Sequence, residues 1–304
     1  IIIPTYNRSQ NLLRALESLA HQTVSPYEYE IIIVDDGSTD DTESQVAKYK
    51  IQNTKYNIRY FKTKNGGPAK ARNCGIKESK GEIIFFTDDD CIAPCDWMET
   101  LLGGFNRHPE AVGVGGSIEL SNEEIEKSAV SHYYSFKIKK FQGEFEILSN
   151  NPLRCFSFGA FNTANIAYKK EMLESIGGFN TKFYWPGSED NDLALRITLS
   201  NHYLLYIPFN TTHQKDINLL DFLKIHFRRG ANGYLLRTIH RETLEKLKPG
   251  FVKNFGSIPS FLTFLLGPEK FLAFLDWISL NIGIFYMKSR LARLDNSNGF
   301  HNPI

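Results

Sequence analysis

What most constrains this chain is an alternation along its first third. Short continuous apolar runs are separated by stretches with helical spacing. Ile1 to Ile3, Glu30 to Val34 (EIIIV), Ile58 to Phe61 and Glu82 to Thr87 (EIIFFT) read as strands. Between them, Arg8 to Ala20 carries Leu12, Leu13, Leu16 and Leu19 on one helical face, with Asn7 or Ser9 as the expected N-cap. Asp41 to Lys50, opened by Ser38-Thr39-Asp40, reads as a polar helix, and Ala69 to Glu78 as another. Strands that are apolar at every position are buried on both faces, and a parallel sheet covered by helices on both sides provides that burial. The expectation is a doubly wound α/β domain.

Such sheets bind ligands at the carboxyl ends of their strands. Here those ends are polar: Pro4-Thr5-Tyr6-Asn7 follows the first strand, Asp35-Asp36-Gly37-Ser38 the second and Asp88-Asp89-Asp90 the fourth. Farther along, Val112 to Leu120 reads as a glycine-rich strand, Ile125 to Lys140 as a helix, Phe156 to Ala167 as an apolar segment and Tyr203 to Ile207 as a strand. After His213 the chain reads as helical. No internal repeat or low-complexity linker interrupts it.

Three neighbouring carboxylates raise one another's pKa and repel, a cost that a divalent cation removes. The triplet Asp88 to Asp90 is therefore a candidate Mg²⁺ or Mn²⁺ site, against the plainer reading of a solvated turn. Asp36 can accept a hydrogen bond from a base or ribose. Asn65-Gly66-Gly67-Pro68 allows close backbone approach, and Lys70 and Arg72 on the next helix supply charge for a diphosphate. Neither G-x-x-x-x-G-K-[ST] nor G-x-G-x-x-G occurs, which excludes P-loop and dinucleotide-Rossmann readings. Glu189, Asp190 and Asp192 lie at a helix start, where capping explains part of the charge. The adjacent Phe183-Tyr184-Trp185 is a candidate sugar-stacking wall, and Asn162 to Asn165 a candidate part of the sugar pocket.

Net charge is +1, from 35 basic and 34 acidic residues, so no global field points to nucleic acid. The four cysteines, Cys74, Cys91, Cys95 and Cys155, read as buried or half-buried free thiols suited to a reducing compartment. A zinc reading of Cys91 and Cys95 fails on spacing, because no second Cys/His pair accompanies them. No signal peptide is visible. The chain opens inside an apolar strand, which leads us to expect upstream residues.

In order along the chain, the motifs resemble those of family 2 glycosyltransferases, which have the GT-A fold. They are IIIPTYNR (Ile1 to Arg8), IIIVDDGSTDDT (Ile31 to Thr42), NGGPAKARNCGI (Asn65 to Ile76), GEIIFFTDDDC (Gly81 to Cys91), GAFNTANIAYKK (Gly159 to Lys170), GGFN (Gly177 to Asn180) and SEDNDLALR (Ser188 to Arg196). The resemblance implies a GT-A type, mostly parallel doubly wound sheet with helices on both faces over residues 1–215, and a helical extension over 216–304. It implies an inverting transfer of a sugar from a nucleoside diphosphate sugar, UDP by preference, to an acceptor hydroxyl. Pro4, Thr5, Tyr6 and Asn7 would line the nucleoside pocket, Asp36 would bind the base, and Arg72, Asp88 and Asp89 would contact the donor. Asp90, with Asp88 and His213, would hold Mn²⁺ or Mg²⁺. Asp190 would be the general base, and Glu189, Asn165 and Trp185 would face the sugar or acceptor.

Two competing readings are a nucleotidyltransferase acting on sugar phosphates and a non-catalytic nucleotide-sugar-binding module. The first expects a glycine-rich loop after the first strand, where Pro4-Thr5-Tyr6-Asn7 stands. Intact Asp190 disfavours the second. The acceptor is a saccharide, a lipid-linked saccharide or a glycan, as in polysaccharide or cell-envelope synthesis. Between Lys215 and Lys253 nine Lys/Arg stand against four acids, and an apolar stretch follows from Ile258 to Met287. That composition is compatible with peripheral contact at the inner face of the cytoplasmic membrane and equally with a helical cap on the domain. Asp276 and Asn281 argue against a spanning helix.

Overall fold

The structure, a computed structural model, describes residues 1–139, 147–151, 161–214, 217–247 and 268–297. The chain forms two compact units: Ile1–Glu124, Ser135–Tyr184 and Glu189–Lys215 in the first, and Ile125–Tyr134, Trp185–Ser188 and Asp216–Ile304 in the second.

The first unit begins as the alternation predicts: β1 (Ile2–Thr5), α1 (Ser9–Ala20), β2 (Glu30–Asp35), α2 (Thr42–Gln52), β3 (Asn57–Lys62), α3 (Pro68–Glu78) and β4 (Ile83–Phe86). β3, β2, β1 and β4 lie side by side in that order, all parallel. Residues 31–35 of β2 are all buried, the two-sided burial that a covered parallel strand requires. α1 turns Leu12, Leu16 and Leu19 inward, each fully buried beside Ile3, Ile31 and Ile33. Burying one such side chain contributes roughly 1.5–3 kcal/mol. The expected N-cap is not there. Arg8 occupies that position without a capping bond, and Asn7 adopts φ 53°. The Asn7 side-chain oxygen accepts instead from the Thr39 amide at 2.7 Å and the Asp40 amide at 3.3 Å, so it fastens the turn before α2.

Next come β5 (Cys91–Ile92), α4 (Trp97–Arg107), β6 (Ala111–Leu120), α5 (Asn122–Lys127) and α6 (Ala129–Lys139). The single helix expected over 125–140 is broken here because the Ser128 hydroxyl accepts from the Ser131 amide at 3.0 Å, starting a new helix. Then follow β7 (Ile147–Ser149), β8 (Ile166–Lys169), α7 (Lys170–Ser175), α8 (Glu189–Leu199) and β9 (Tyr203–His213). β8 enters antiparallel between β4 and β6, and β9 runs parallel to β6. β9 extends six residues past the expected Ile207, and its end is flanked by Leu120 of β6 and Cys91 of β5. That extension places His213.

The second unit contains α9 (Leu219–Ile239), α10 (Arg241–Leu247) and α11 (Pro268–Ser297). α9 and α11 cross closely enough that a Cβ at Gly283 would lie 2.0 Å from the Phe227 carbonyl oxygen. Buried Asp276 of α11 pairs with His226 of α9 and accepts from the Tyr133 hydroxyl at 3.3 Å. Trp185, Phe227 and Tyr286 form a ring cluster with centroids 5.5–5.8 Å apart. Among the described residues no helix is long and apolar enough to cross a membrane.

Candidate active site

The ends of β1, β4 and β9 meet at the aspartate triplet. Asp89 is buried and accepts from the Thr5 hydroxyl at 2.8 Å, which ties the β4 end to the β1 end. Arg8 donates from Nη1 to Asp89 Oδ1 at 3.1 Å and to Asp90 Oδ2 at 2.9 Å. Asp90 Oδ1 lies 3.0 Å from His213 Nε2. Asp88, the most open of the three, accepts from Arg72 Nη2 at 2.8 Å, while Arg72 Nη1 donates to Glu189 at 2.9 Å. Arg72 is thus a buried clasp between the end of β4 and the start of α8. Asp190 is the second residue of α8, and its carboxylate accepts from the Asn191 amide at 2.8 Å.

The site gathers buried acidic groups. Among the described residues, Arg8 pairs with Asp89 and Asp90, and Arg72 with Asp88 and Glu189, while Asp190 lies close enough to feel the Arg72 charge. Burial, then the neighbouring Asp90, pushes Asp89 up to about 7. Burial, then Asp190, does the same to Glu189, with Arg72 opposing. Asp190 is raised as well, by burial first. Burial works against the charge on Arg8, yet Asp89 and Asp90 together hold it protonated beyond its ordinary range.

The donor set fits a divalent cation. Two neighbouring ligand atoms each ~2.1 Å from an octahedral ion stand about 3.0 Å apart. Asp90 Oδ1 and His213 Nε2 have that separation, 3.0 Å. Asp90, Cys91 and His213, all buried, each offer one ligand atom, and these atoms lie within 4.8 Å of one another. Sequence spacing alone had offered Cys91 no such partner. Its metal-type neighbour is His213, brought opposite it by the β5–β9 ladder.

Other expected site residues are placed as follows. Both Asp36 carboxylate oxygens accept backbone amides, from Gly66 and Gly67 at 2.8 Å each, so Asp36 shapes the glycine loop. Pro4 lies within β1 opposite Val34 of β2, and Tyr6 is exposed. Asn165 was expected near the sugar, an expectation this geometry does not carry. Its amide nitrogen donates to the carbonyls of Ser117 and Phe209 at 2.8 and 2.7 Å, its oxygen accepts from Trp97 Nε1 at 2.9 Å, and the residue is fully buried. It cross-links the sheet. The expected aromatic wall is divided: Phe183 is core, Tyr184 is exposed and donates to Asn65 at 2.7 Å, and Trp185 belongs to the second unit. Cys74 is half-buried and Cys91 buried, whereas Cys95 is exposed, contrary to expectation. Cys155 lies outside the described residues. Arg8 is the contact that the sequence reading missed. It closes the first motif, and its adjacency to the polar strand end was the available signal.

Comparison with known proteins bears on the family and the fold. The sequence model described as "Glycosyl transferase family 2" matches residues 1–167, and that described as "N-terminal domain of galactosyltransferase" matches 153–218. The chain is 40% identical over 92 residues to the poly(ribitol-phosphate) beta-N-acetylglucosaminyltransferase TarS of Staphylococcus aureus strain Mu50, a match covering 30% of this chain and 16% of TarS. The chain thus spans only a small part of that curated relative's length. In structure it resembles the mannosyltransferase PcManGT from Pyrobaculum calidifontis, solved in complex with GDP-Man and Mn²⁺. That likeness has a TM-score of 0.60 at 19% identity and covers 99% of this chain and 75% of PcManGT. It also resembles S. aureus TarS 1–349 in complex with UDP, with a TM-score of 0.53 at 18% identity, covering 99% and 92% of the two chains. The structural likenesses extend to the GT-A fold, and the family match covers more than half of the sequence: the chain belongs to glycosyl transferase family 2.

Proposed function

We propose that the chain transfers a sugar, with inversion, from a nucleoside diphosphate sugar to an acceptor hydroxyl, and that Asp190 is its general base. The observation that carries this reading is the carboxylate corner of the first unit. Asp90 and His213 stand 3.0 Å apart on one side of the triplet, and the Arg72 clasp joins Asp88 to the Glu189-Asp190 pair on the other. A cation bound by Asp90 and His213 supplies positive charge against a diphosphate leaving group. Arg72 orients Asp88 toward the donor and Glu189 at the start of α8. A raised pKa makes Asp190 a stronger base than an ordinary carboxylate, so it accepts the acceptor's hydroxyl proton more readily. UDP as the nucleotide is supported by the TarS complex, and Mn²⁺ by the PcManGT complex. We assign donor binding and catalysis to residues 1–215. To 216–304 we assign contact with a saccharide, lipid-linked or glycan acceptor, or with a membrane surface on the cytoplasmic side.

Asp190→Asn tests the assignment. It keeps the shape and removes the base, so transfer should fall by about 10²–10⁴ while donor affinity changes little. An equal loss of donor binding would show that Asp190 acts on the donor or on the fold.

A further inference from the structure

The ladder that brings His213 to Asp90 also brings in a thiol. Cys91 and His213 are directly opposed across the antiparallel β5–β9 pair, so their side chains emerge on one face of the sheet. Cys91 Sγ lies 4.0 Å from Asp90 Oδ1, and all three residues are buried. A tetrahedral site with sulfur ~2.3 Å and nitrogen or oxygen ~2.0–2.1 Å from the ion separates its ligand atoms by about 3.3–3.6 Å. The observed spread of up to 4.8 Å closes to this with a side-chain adjustment of about 1 Å. Carboxylate and imidazole alone accept Mg²⁺ or Mn²⁺, whereas a thiolate selects borderline and soft ions.

We propose that Cys91 is a third protein ligand, which makes this corner a high-affinity site for thiophilic divalent cations such as Zn²⁺ and Cd²⁺. The inference rests on the reading of Asp90 and His213 as cation ligands. On binding, the S–H bond breaks, a sulfur–metal bond forms and the proton leaves to solvent. Hard ions leave the thiol protonated and use the oxygen and imidazole donors. The site would thus bind the thiophilic ion in competition with the ion that serves the donor.

Cd²⁺ is the probe, because cadmium–thiolate bonding produces an ultraviolet charge-transfer absorption independent of catalysis. The full chain is titrated with Cys74, Cys95 and Cys155 changed to Ser, which leaves Cys91 as the only thiol. The expected result is one equivalent of charge-transfer signal, abolished by a further Cys91→Ser or Cys91→Ala. Cd²⁺ affinity should then fall at least about tenfold, and Mn²⁺ affinity much less. Asp90→Asn should also weaken the signal. If no signal appears while Mn²⁺ still promotes UDP binding, Cys91 is not a ligand and the active-site reading stands. If neither ion binds, both readings fall.

Discussion

At the scale of single residues, the site is a set of charges taken out of water. Glu189 shows the consequence. Its pKa is 4.5 in an unfolded chain and is pushed up to about 7 in the fold, by burial first and then by Asp190. The folded state therefore holds this proton to higher pH than the unfolded state. Its stabilising contribution is complete below about pH 4.5 and is lost as pH rises toward 7. Glu189→Gln removes the titration. Its stability relative to the parent should rise between pH 5 and pH 7.5, by up to about 3 kcal/mol, in urea unfolding followed at several pH values. A flat difference across that range would show that Arg72 balances Glu189 fully. The residue scale also shows how identical letters diverge. Asp36 and Asp88 both end strands, yet Asp36 is occupied by the amides of Gly66 and Gly67 while Asp88 lies at the open side.

At the scale of elements, the start of α3 sets how the glycine loop meets the rest of the first unit. Gly67 has φ +88°, and a Cβ there would lie 2.1 Å from the Tyr184 carbonyl oxygen. Only glycine fits, for both conformation and space. Pro68 then opens the helix with its φ already suited to it. Gly67→Ala should cost about 1–3 kcal/mol and displace the loop that Asp36 holds. Thermal unfolding checks the first effect, and weaker binding of UDP in calorimetry the second. Unchanged binding would remove this loop from the donor site. β9 makes a different point. Its apolar Leu204 to Ile207 was legible as a strand, but its polar continuation through Asn210, Thr211 and Thr212 was not. Those residues are strand because β6 and β5 supply ladder partners, and pairing of that kind outweighs weak local preference.

At the scale of the whole molecule, a nucleotide and a cation that bind only the folded chain must stabilise it. Saturation with UDP at a hundred times its Kd adds about 2.7 kcal/mol. The rise in Tm with UDP should depend on Mn²⁺, vanish with excess chelator and be lost in Asp90→Ala. A rise indifferent to chelator would refute the cation site, and a larger rise with CTP than with UDP would favour nucleotidyl transfer.

The order of strands and helices in the first third was written in local pattern, because runs such as Ile31 to Val34 are stable only when covered on both faces. The acidic strand end at Asp88 to Asp90 was equally visible, since its position follows from the strand before it. The tertiary structure alone decided that Arg8 spans two of those aspartates, that Arg72 joins Asp88 to Glu189 and that Cys91 meets His213. It also spent Asn165 on cross-linking the sheet. The reason is physical: periodicity reports which face of an element is buried, whereas contacts between groups far apart in sequence depend on strand order and register, which no local spacing encodes.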